Sequence, residues 1–258
     1  MTGGASGIGL ALCRELVQRG ANVVVADIAA EAAQKVAQQI TSAGGRADAA
    51  PIDVTDYQAV VDLLNHVLDE FGRIDFIFNN AGVNVVGETL HLELDDWERL
   101  LSINLQGVIH GVVAAYPIMV RQRSGHIVNV ASLAGLTPAP FEVPYAATKH
   151  AVVGLSLSLR AEARKYGVRV SVVCPGFIDT PMPDTQRVVG VDREKMKASI
   201  PVSLYPADRC ARDILDGVSR NKSMIVVTRF AKLAYLAKRL SPSLVDWVTW
   251  RAVRRGLH

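Results

Sequence analysis

Short apolar runs alternate with longer stretches of helical periodicity along most of the chain. The apolar runs are Val23–Val25, Ile74–Phe78, His126–Val130 and Val168–Val173, and the helical stretches cover residues 29–43, 56–71, 95–122, 145–166 and 207–220. This alternation predicts an α/β fold with a single doubly wound parallel sheet, Rossmann-like, and helices on both faces. Ligands bind such sheets beyond the carboxyl ends of the strands, where Asp27, Asn79, Ser132 and Pro175 all fall.

Length and composition fit one α/β domain followed by an extension. The chain has 258 residues, half of them apolar, and it shows neither a linker nor an internal repeat. One core of that size is sufficient for a single domain. We therefore predict one Rossmann-like α/β domain over residues 1–228 and a basic, amphipathic C-terminal extension over residues 229–258.

The cysteines and histidines give no metal-binding pattern. Cys13, Cys174 and Cys210 lie far apart, and the six histidines are scattered without a pair at ligand spacing beside an acid. We predict no metal site. An odd number of cysteines in a chain without a signal-peptide pattern indicates a reducing compartment, so the expected location is the cytoplasm.

One pair of residues indicates a specific chemistry. Tyr145 and Lys149 are four residues apart in a predicted helix, and Ser132 lies thirteen residues upstream. Positions i and i+4 share a helix face, so the Lys149 ammonium is expected to lie beside the Tyr145 phenol and lower its pKa. A free phenol titrates near pH ~10, and catalysis near neutrality needs a pKa lower by about 2 to 3 pH units. Together with a hydrogen-bonding serine, this pair can move a proton during conversion of an alcohol to a carbonyl.

A glycine-rich turn opens the chain. The sequence Thr2-Gly-Gly-Ala-Ser-Gly7-Ile-Gly9 is followed by a helical apolar pattern that ends at Gly20. Glycines without Cβ let backbone N–H groups approach a pyrophosphate, and the start of a helix adds partial positive charge. The turn therefore predicts a dinucleotide site, although an ordinary glycine-rich turn is the alternative.

The acid at the end of the next predicted strand suggests which dinucleotide binds. Asp27 follows Gly7 by twenty residues, the spacing at which dinucleotide folds place a ribose-binding carboxylate. A carboxylate there accepts hydrogen bonds from adenosine hydroxyls and repels a 2′-phosphate, which favours NAD over NADP. Asp27 can also cap the helix that follows, and the two roles are compatible.

Taken together, these motifs resemble the short-chain dehydrogenase/reductase family from Thr2 to about Val227. Thr2-Gly3-x-x-x-Gly7-x-Gly9 is similar to the family's cofactor loop, Asp53-Val54 to its adenine contact, and Asn79-Asn80-Ala81-Gly82 to the motif that steadies the central sheet. The resemblance implies a catalytic tetrad of Asn104, Ser132, Tyr145 and Lys149. It also implies NAD contacts at Gly3, Ser6, Gly7, Ile8, Gly9, Asp27, Asp53, Val54, Asn80, Ala81, Gly82, Tyr145, Lys149, Pro175, Gly176, Ile178 and Thr180.

The resemblance assigns a role to each tetrad residue. Ser132 would donate a hydrogen bond to the substrate oxygen, Tyr145 would exchange its proton, and Lys149 would hold the nicotinamide ribose. Asn104 would hold a water that carries the proton to solvent. The family also implies a homodimer or homotetramer built on the helices near 95–122 and 145–166.

The predicted function is oxidation or reduction of a secondary alcohol or ketone on a lipophilic small molecule, such as a steroid, retinoid or fatty alcohol. The lipophilic substrate follows from a lid-like segment over residues 182–205, with apolar Val188, Val189, Val191, Met196, Ile200 and Val202. One alternative is an NADPH-dependent ketoacyl reductase, although this chain has Ser6, Asp27 and Ile28 where basic residues are usual. The other is a dinucleotide-binding scaffold without catalysis.

The start of the chain departs from the family pattern. Relatives have a buried first strand before the glycine turn, whereas here only Met1 precedes Thr2. Without that strand the central sheet would have a gap roughly 9.6 Å wide, about two strand spacings. We therefore expect the sheet to be interrupted there, the chain as given to fold poorly, and the sequence to be short by several residues at its start.

The tail after Val227 is the second departure. It carries seven basic residues, Arg229, Lys232, Lys238, Arg239, Arg251, Arg254 and Arg255, against one acid, Asp246, a net charge of +6. Apolar positions at helical spacing on either side of Ser241-Pro242 predict two amphipathic helices. Three roles stay open: packing against a neighbouring subunit, contact with an anionic membrane surface, and covering an apolar substrate pocket. The chain carries no nucleic-acid-binding motif that would use this charge.

Overall fold

A computed structural model describes residues 1–198 and 200–254. The strands are β1 (Asn22–Asp27), β2 (Arg46–Pro51), β3 (Phe76–Asn79), β4 (Val85–Gly87), β5 (His126–Val130), β6 (Arg169–Pro175), β7 (Ile178–Asp179), β8 (Arg187–Val189), β9 (Tyr205–Pro206) and β10 (Met224–Val227). The helices are α1 (Gly7–Gln18), α2 (Ala30–Ser42), α3 (Tyr57–Phe71), α4 (Leu94–Leu100), α5 (Gly107–Gln122), α6 (Val143–Ala163), α7 (Met182–Thr185), α8 (Arg193–Ala198), α9 (Ala207–Ser219), α10 (Arg229–Leu240) and α11 (Pro242–Val253).

The main sheet is parallel and has helices on both faces. Its larger part has the order β10-β6-β5-β3, and β1 pairs with β2 in a second part. On one face α3, α5 and α6 pack on the sheet through residues such as Leu64, Val112 and Val152. On the other face α1 and α9 pack on β5 and β6 through Leu12 and Ile214. The predicted doubly wound α/β fold is confirmed.

Met1 and Thr2 lie between the two parts of the sheet. The Ala26 N–H donates to Met1 O at 2.9 Å on the β1 side, and the Thr2 N–H donates to Phe78 O at 3.1 Å on the β3 side. These two residues hold the two parts together at the carboxyl ends of the strands, next to the glycine turn. The predicted interruption of the sheet is therefore present, because β1 and β3 are not paired directly with each other.

Most predicted elements lie within a few residues of their expected bounds, with one informative difference. The helical stretch expected over residues 95–122 contains a π-helical segment, Leu101–Gln106, between α4 and α5. This segment carries Asn104, which is fully buried. Single-turn π segments inside α-helices are frequent at functional sites, because the extra residue redirects side chains.

The run Leu94–Gln122 is the one helical stretch among the described residues that is long and apolar enough to cross a membrane. Its residues Val108, Val112, Ala115 and Met119 are buried in the core against the sheet. Packing against the sheet therefore accounts for its hydropathy.

The C-terminal extension forms α10 and α11, as its periodicity predicts. Ser241 ends α10, and Pro242 begins α11, where its fixed φ and missing N–H suit the first turn. Helix α11 has no buried residue. Arg255 of the predicted basic tail lies outside the described residues.

Candidate active site

The glycine turn is held by the segment that follows β3. The Thr2 Oγ1 accepts hydrogen bonds from the backbone N–H groups of Asn80 at 3.0 Å and Ala81 at 3.1 Å. The Asn80 side-chain amide donates to the carbonyl oxygens of Thr2 at 3.0 Å and Gly3 at 3.1 Å. The two predicted cofactor motifs, seventy-eight residues apart in the chain, therefore form one rigid loop pair.

The conformation of this turn requires glycine at particular positions. Gly3 and Gly7 have φ of 61° and 51°, in the left-handed region that disfavours other residues. A methyl group at Gly9 would overlap the carbonyl oxygen of Gly3. These positions leave the backbone exposed to a close ligand, which is the form of cradle that a pyrophosphate needs.

Helix α1 begins at Gly7, directly under this turn. Its N-cap, Ser6, makes no capping hydrogen bond through its side chain. The first N–H groups of the helix, including those of Ile8 and Gly9, are therefore not used by a side-chain cap. Because the helix start also carries partial positive charge, the predicted residues fit the pyrophosphate of a dinucleotide.

Asp27 ends β1 beside the turn. Its Oδ2 accepts from the Ala5 N–H at 3.0 Å, and its Oδ1 accepts from the Ala29 N–H at 3.0 Å, just before α2. The carboxylate therefore anchors the glycine turn and the residue that precedes α2. It does not cap α2 as the sequence suggested, because the helix has no side-chain cap. Each oxygen keeps a second lone pair, so a hydroxyl ligand can still bind there.

Asp53 and Val54 follow β2 at the same edge of the sheet. The exposed Asp53 carboxylate accepts from the N–H of Thr55 at 2.9 Å and from its hydroxyl at 2.8 Å. Val54 is buried, and its carbonyl oxygen lies 2.9 Å from the His110 Nδ1. The loop is thus fixed from both sides in a position suited to an adenine contact.

The loop after β6 brings the predicted nicotinamide-side residues to the glycine turn. The Gly176 N–H donates to Val227 O at 3.2 Å, and this fixes the turn that starts at Pro175. A Cβ added at Gly7 would lie 3.2 Å from the Thr180 Cγ2, so Thr180 borders the cradle. The Ile178 side chain differs from these residues because it is buried in the core, so only its backbone can face a ligand.

Tyr145 and Ser132 meet at the centre of the site. Ser132 follows β5, Tyr145 lies in the first turn of α6, and the Ser132 hydroxyl lies close enough to the phenol to act on its pKa. Tyr145 is 9 % exposed, so the pair lies in a largely dry position that a substrate oxygen can still reach. The sequence predicted this meeting, and the structure brings the two residues together across thirteen positions of chain.

Lys149 and Asn104 complete the predicted tetrad on either side of Gly82. The Lys149 Nζ lies 5.5 Å from the centre of the Tyr145 ring and donates to Val130 O at 3.0 Å. Asn104 accepts from the Val83 N–H at 2.8 Å and donates to Val83 O at 2.9 Å. A Cβ at Gly82 would be 3.1 Å from the Asn104 oxygen and 3.4 Å from the Lys149 Nζ. Glycine at position 82 therefore lets Asn104 and Lys149 come close together beside Tyr145.

The sequence predicted a lowered pKa for the Tyr145 phenol, and this direction is wrong for the protein chain alone. Burial, as the largest cause, raises the pKa of the Tyr145 phenol; the charge of Glu142 adds to this, and the Ser132 hydrogen bond opposes it. Burial also lowers the pKa of the Lys149 ammonium to about 8. The same desolvation that disfavours the phenolate thus also disfavours the ammonium, although a group with a pKa of about 8 is still mostly protonated at pH 7. Near neutral pH the chain holds Tyr145 as a protonated phenol.

Sequence reasoning missed a polar cluster next to this site. Asn84 and Gln186 are buried, Glu142 is partly buried, and hydrogen bonds connect the three side chains. Fifty-eight positions separate Asn84 from Glu142, and a hundred and two separate it from Gln186. No local spacing could have revealed the cluster. Over the described part of the chain, no group of three or more His, Cys, Asp or Glu side chains could hold a metal ion.

Comparisons with known proteins agree with this geometry. A family model described as short chain dehydrogenase matches residues 1–188. The chain is 34 % identical over 205 residues to the 3-oxoacyl-[acyl-carrier-protein] reductase FabG of Thermotoga maritima, covering 80 % of this chain and 82 % of that enzyme. It is 40 % identical over 182 residues to the meso-2,3-butanediol dehydrogenase of Serratia marcescens, covering 70 % of this chain and 71 % of that enzyme.

A solved structure extends the likeness to nearly the whole chain. The crystal structure of a short chain dehydrogenase/reductase from Burkholderia phymatum in complex with NAD matches with a TM-score of 0.87 and 27 % identity. The match covers 95 % of this chain and 93 % of the other.

Proposed function

Because the chain belongs to the short-chain dehydrogenase/reductase family, we propose that this oxidoreductase uses NAD(H) to interconvert a secondary alcohol and a ketone on a small molecule. The observation that carries the proposal is the proximity of Tyr145 and Ser132, with Lys149 and Asn104 behind them and the glycine cradle beside them. Purified protein that reduces NAD with a panel of secondary alcohols would support the proposal.

The chain's own residues supply hydrogen bonding and proton transfer. When bound, the nicotinamide donates or accepts the hydride at the carbonyl carbon. Ser132 donates a hydrogen bond to the substrate oxygen, and Tyr145 transfers its hydroxyl proton to that oxygen as the ketone becomes an alcohol. The raised pKa of the Tyr145 phenol keeps this proton in place at neutral pH. In the reverse direction the phenolate takes the proton back, and this needs positive charge from Lys149.

We infer NAD rather than NADP from Asp27. Its carboxylate lies at the end of β1 between the glycine turn and α2, and Ile28 beside it is 73 % exposed. A 2′-phosphate placed there would repel the carboxylate. The alternative is an NADPH-dependent ketoacyl reductase, and the likeness to the 3-oxoacyl-[acyl-carrier-protein] reductase of Thermotoga maritima supports its reaction type.

We expect kcat/KM with NAD to exceed that with NADP by at least about tenfold, and Asp27→Asn to reduce this ratio about tenfold, because like charges a few ångströms apart cost more than 1.4 kcal/mol. Steady-state kinetics with both cofactors measures this. Asp48→Asn, which removes an exposed carboxylate on β2, is the matched control and should keep the ratio. A wild-type preference for NADP would contradict the inference.

The apolar lid supports a substrate with an apolar body. Val188 and Val189 lie in β8, which pairs with β4 beside the site, and Met196 of α8 is buried. Apolar side chains with a few polar groups among them are the usual lining of small-molecule sites. A lipophilic alcohol or ketone remains the substrate that this lining favours.

We propose further that the C-terminal helices contact an anionic membrane surface. Eight large apolar residues of these helices are each at least 38 % exposed: Leu233, Leu236, Leu240, Leu244, Trp247, Val248, Trp250 and Val253. Arg251 and Arg254 stack over the rings of Trp247 and Trp250 at 5.0 and 4.9 Å. Tryptophan beside arginine is suited to the boundary between headgroups and acyl chains.

The net charge of the extension favours contact with anionic lipid over contact with the same face of a second subunit. Six basic residues and one acid, Asp246, lie in the described part of the extension, a net charge of +5. A two-fold interface would bring this charge against itself, whereas anionic headgroups neutralise it. The homodimer or homotetramer that we propose would instead form through α5 and α6, where Val113 and Leu157 are exposed.

We expect the full chain to bind vesicles containing phosphatidylglycerol more tightly than pure phosphatidylcholine vesicles, with binding weakened by high salt. The double substitution Leu236→Glu and Trp247→Glu should weaken binding at least about tenfold, because it places charge in the apolar boundary. Leu90→Glu, at an 86 % exposed position elsewhere, is the control. Vesicle flotation and light scattering measure binding and oligomer size. If the wild type does not bind vesicles and the double variant forms smaller oligomers, this face is a subunit interface instead.

A further inference from the structure

Three polar side chains from distant segments form a cluster beside Tyr145. The Asn84 Nδ2 donates to the Glu142 Oε1 at 2.6 Å and to the Gln186 Oε1 at 3.0 Å. Asn84 lies between Gly82 and β4, Glu142 is the N-cap of α6, and Gln186 lies in the lid just before β8. Buried polar side chains are nearly always hydrogen bonded, and each of these three has a partner within the cluster.

The backbone is strained to place Glu142 there. Phe141 has a φ of 65°, a left-handed conformation that is unusual for a bulky residue, and its carbonyl oxygen accepts from the Gly87 N–H at 2.8 Å. Residues with strained backbone conformations are found most often at functional sites, where the surrounding structure holds them in place. The turn brings Glu142 one helical turn before Tyr145, close enough for its charge to act on the phenol.

Acceptors outnumber donors in the cluster. Asn84 donates its two amide hydrogens to Glu142 and Gln186. Its side-chain oxygen accepts from the Val85 N–H at 2.8 Å. The Gln186 amide donates to the Met196 sulfur at 3.2 Å. Within the described residues the hydrogen bond of the Glu142 carboxylate runs through Oε1, so Oε2 can accept from a ligand. Burial raises the pKa of this carboxyl group, and a further donor would stabilise its ionised form.

We propose that Glu142, Asn84 and Gln186 form a substrate subsite that accepts a hydrogen bond from a second hydroxyl group near the reacting carbon. This inference rests on the proposed function and narrows its substrate to neutral diols and hydroxyketones, with the rest of the molecule against the apolar lid. A substrate carboxylate in the same place would put two carboxyl groups together in a poorly solvated position, where both cannot stay ionised at low cost, so hydroxy acids are disfavoured. A substrate with a single hydroxyl group would leave the Glu142 Oε2 atom without a hydrogen-bond donor.

Three alcohols with one four-carbon skeleton test the subsite. With NAD, meso-2,3-butanediol should give a kcat/KM at least about tenfold above that of 2-butanol, and 3-hydroxybutyrate should be oxidised least. The ratio of diol to monoalcohol should fall at least about fivefold in Glu142→Gln and in Glu142→Leu, because a hydrogen bond to a charged acceptor is lost. Glu194→Gln, which alters an exposed carboxylate of the lid helix α8, should keep the ratio.

The outcomes separate this inference from the proposed function. Absence of NAD reduction with every secondary alcohol tried would overturn the proposed function itself. Activity on 2-butanol or longer 2-alkanols that the matching 2,3-diols do not exceed would overturn the subsite alone, and so would efficient oxidation of 3-hydroxybutyrate. These wild-type comparisons decide the matter even if a Glu142 variant fails to fold.

Discussion

Replacement of Tyr145 by phenylalanine is expected to lower kcat/KM at least about 100-fold. In the proposed mechanism the phenol oxygen exchanges a proton with the substrate, and it lies beside Ser132 in a largely buried position. Loss of a positioned proton donor removes rate enhancements of about 10²- to 10⁴-fold. Phenylalanine keeps the ring and its packing, so the change should fall on turnover. Steady-state NADH formation with any alcohol oxidised by the wild type measures it.

Tyr166→Phe is the matched control, because Tyr166 is 41 % exposed and packs against Tyr116 away from the site. This variant should keep full turnover. NADH binding, followed by fluorescence titration, should be retained in Tyr145→Phe within a few-fold. A scaffold without catalysis, the alternative left open by the sequence, would show no turnover in either variant or in the wild type. Unchanged turnover in Tyr145→Phe would remove the phenol from the mechanism.

Gly9→Ala is expected to destabilise the protein by about 3 kcal/mol and to weaken NADH binding strongly. The added methyl group would overlap the Gly3 carbonyl oxygen and lie 2.6 Å from the Asn80 Nδ2, so the cradle would have to open. Because Asn80 holds Thr2 and Gly3 in place, the displacement would spread to the join between the two parts of the sheet. Thermal unfolding and NADH titration measure the two effects.

Gly154→Ala provides the comparison in a helix of the same protein. Gly154 lies inside α6, and a methyl group there would meet no atom within 4 Å. Alanine should therefore stabilise the protein by about 0.5 to 1 kcal/mol, since it lowers the entropy of the unfolded chain and favours the helix. Opposite shifts in Tm for the two substitutions would support the cradle. A neutral effect of Gly9→Ala would show that the turn can relax and is not shaped for a close ligand.

The elements with a clear hydrophobic period were predictable from sequence, and those without one were not. The apolar runs at residues 126–130 and 168–173 became β5 and β6, whose inner positions are fully buried on both faces. Strand β2, Arg46–Pro51, has no apolar run because it lies at the edge of the sheet, with only one neighbour and partly exposed side chains. Strand β10 is a short run, and periodicity alone cannot tell such a run from part of a helix.

The site residues were predictable from sequence where they lie close together in one segment of the chain. Tyr145 and Lys149 share one helix face, and the glycines of the turn lie within seven residues, so a local pattern specifies each group. The pKa of Tyr145 was not predictable in this way. Its direction depends on burial by residues from several segments and on the charge of Glu142, which together outweigh the effect of Ser132.

The sequence by itself thus determined the α/β fold, the order of the motifs and the choice of Tyr145 and Lys149 as the candidate proton-transfer pair. Each of these depends on residues that are close in the chain or repeat at a fixed period. Only the tertiary structure decided that Asn84, Glu142 and Gln186 share one polar cluster and that Asn104 and Lys149 meet beside Gly82. Contacts between residues about twenty to a hundred positions apart are set by how helices pack across the sheet, and a local pattern carries no record of that packing.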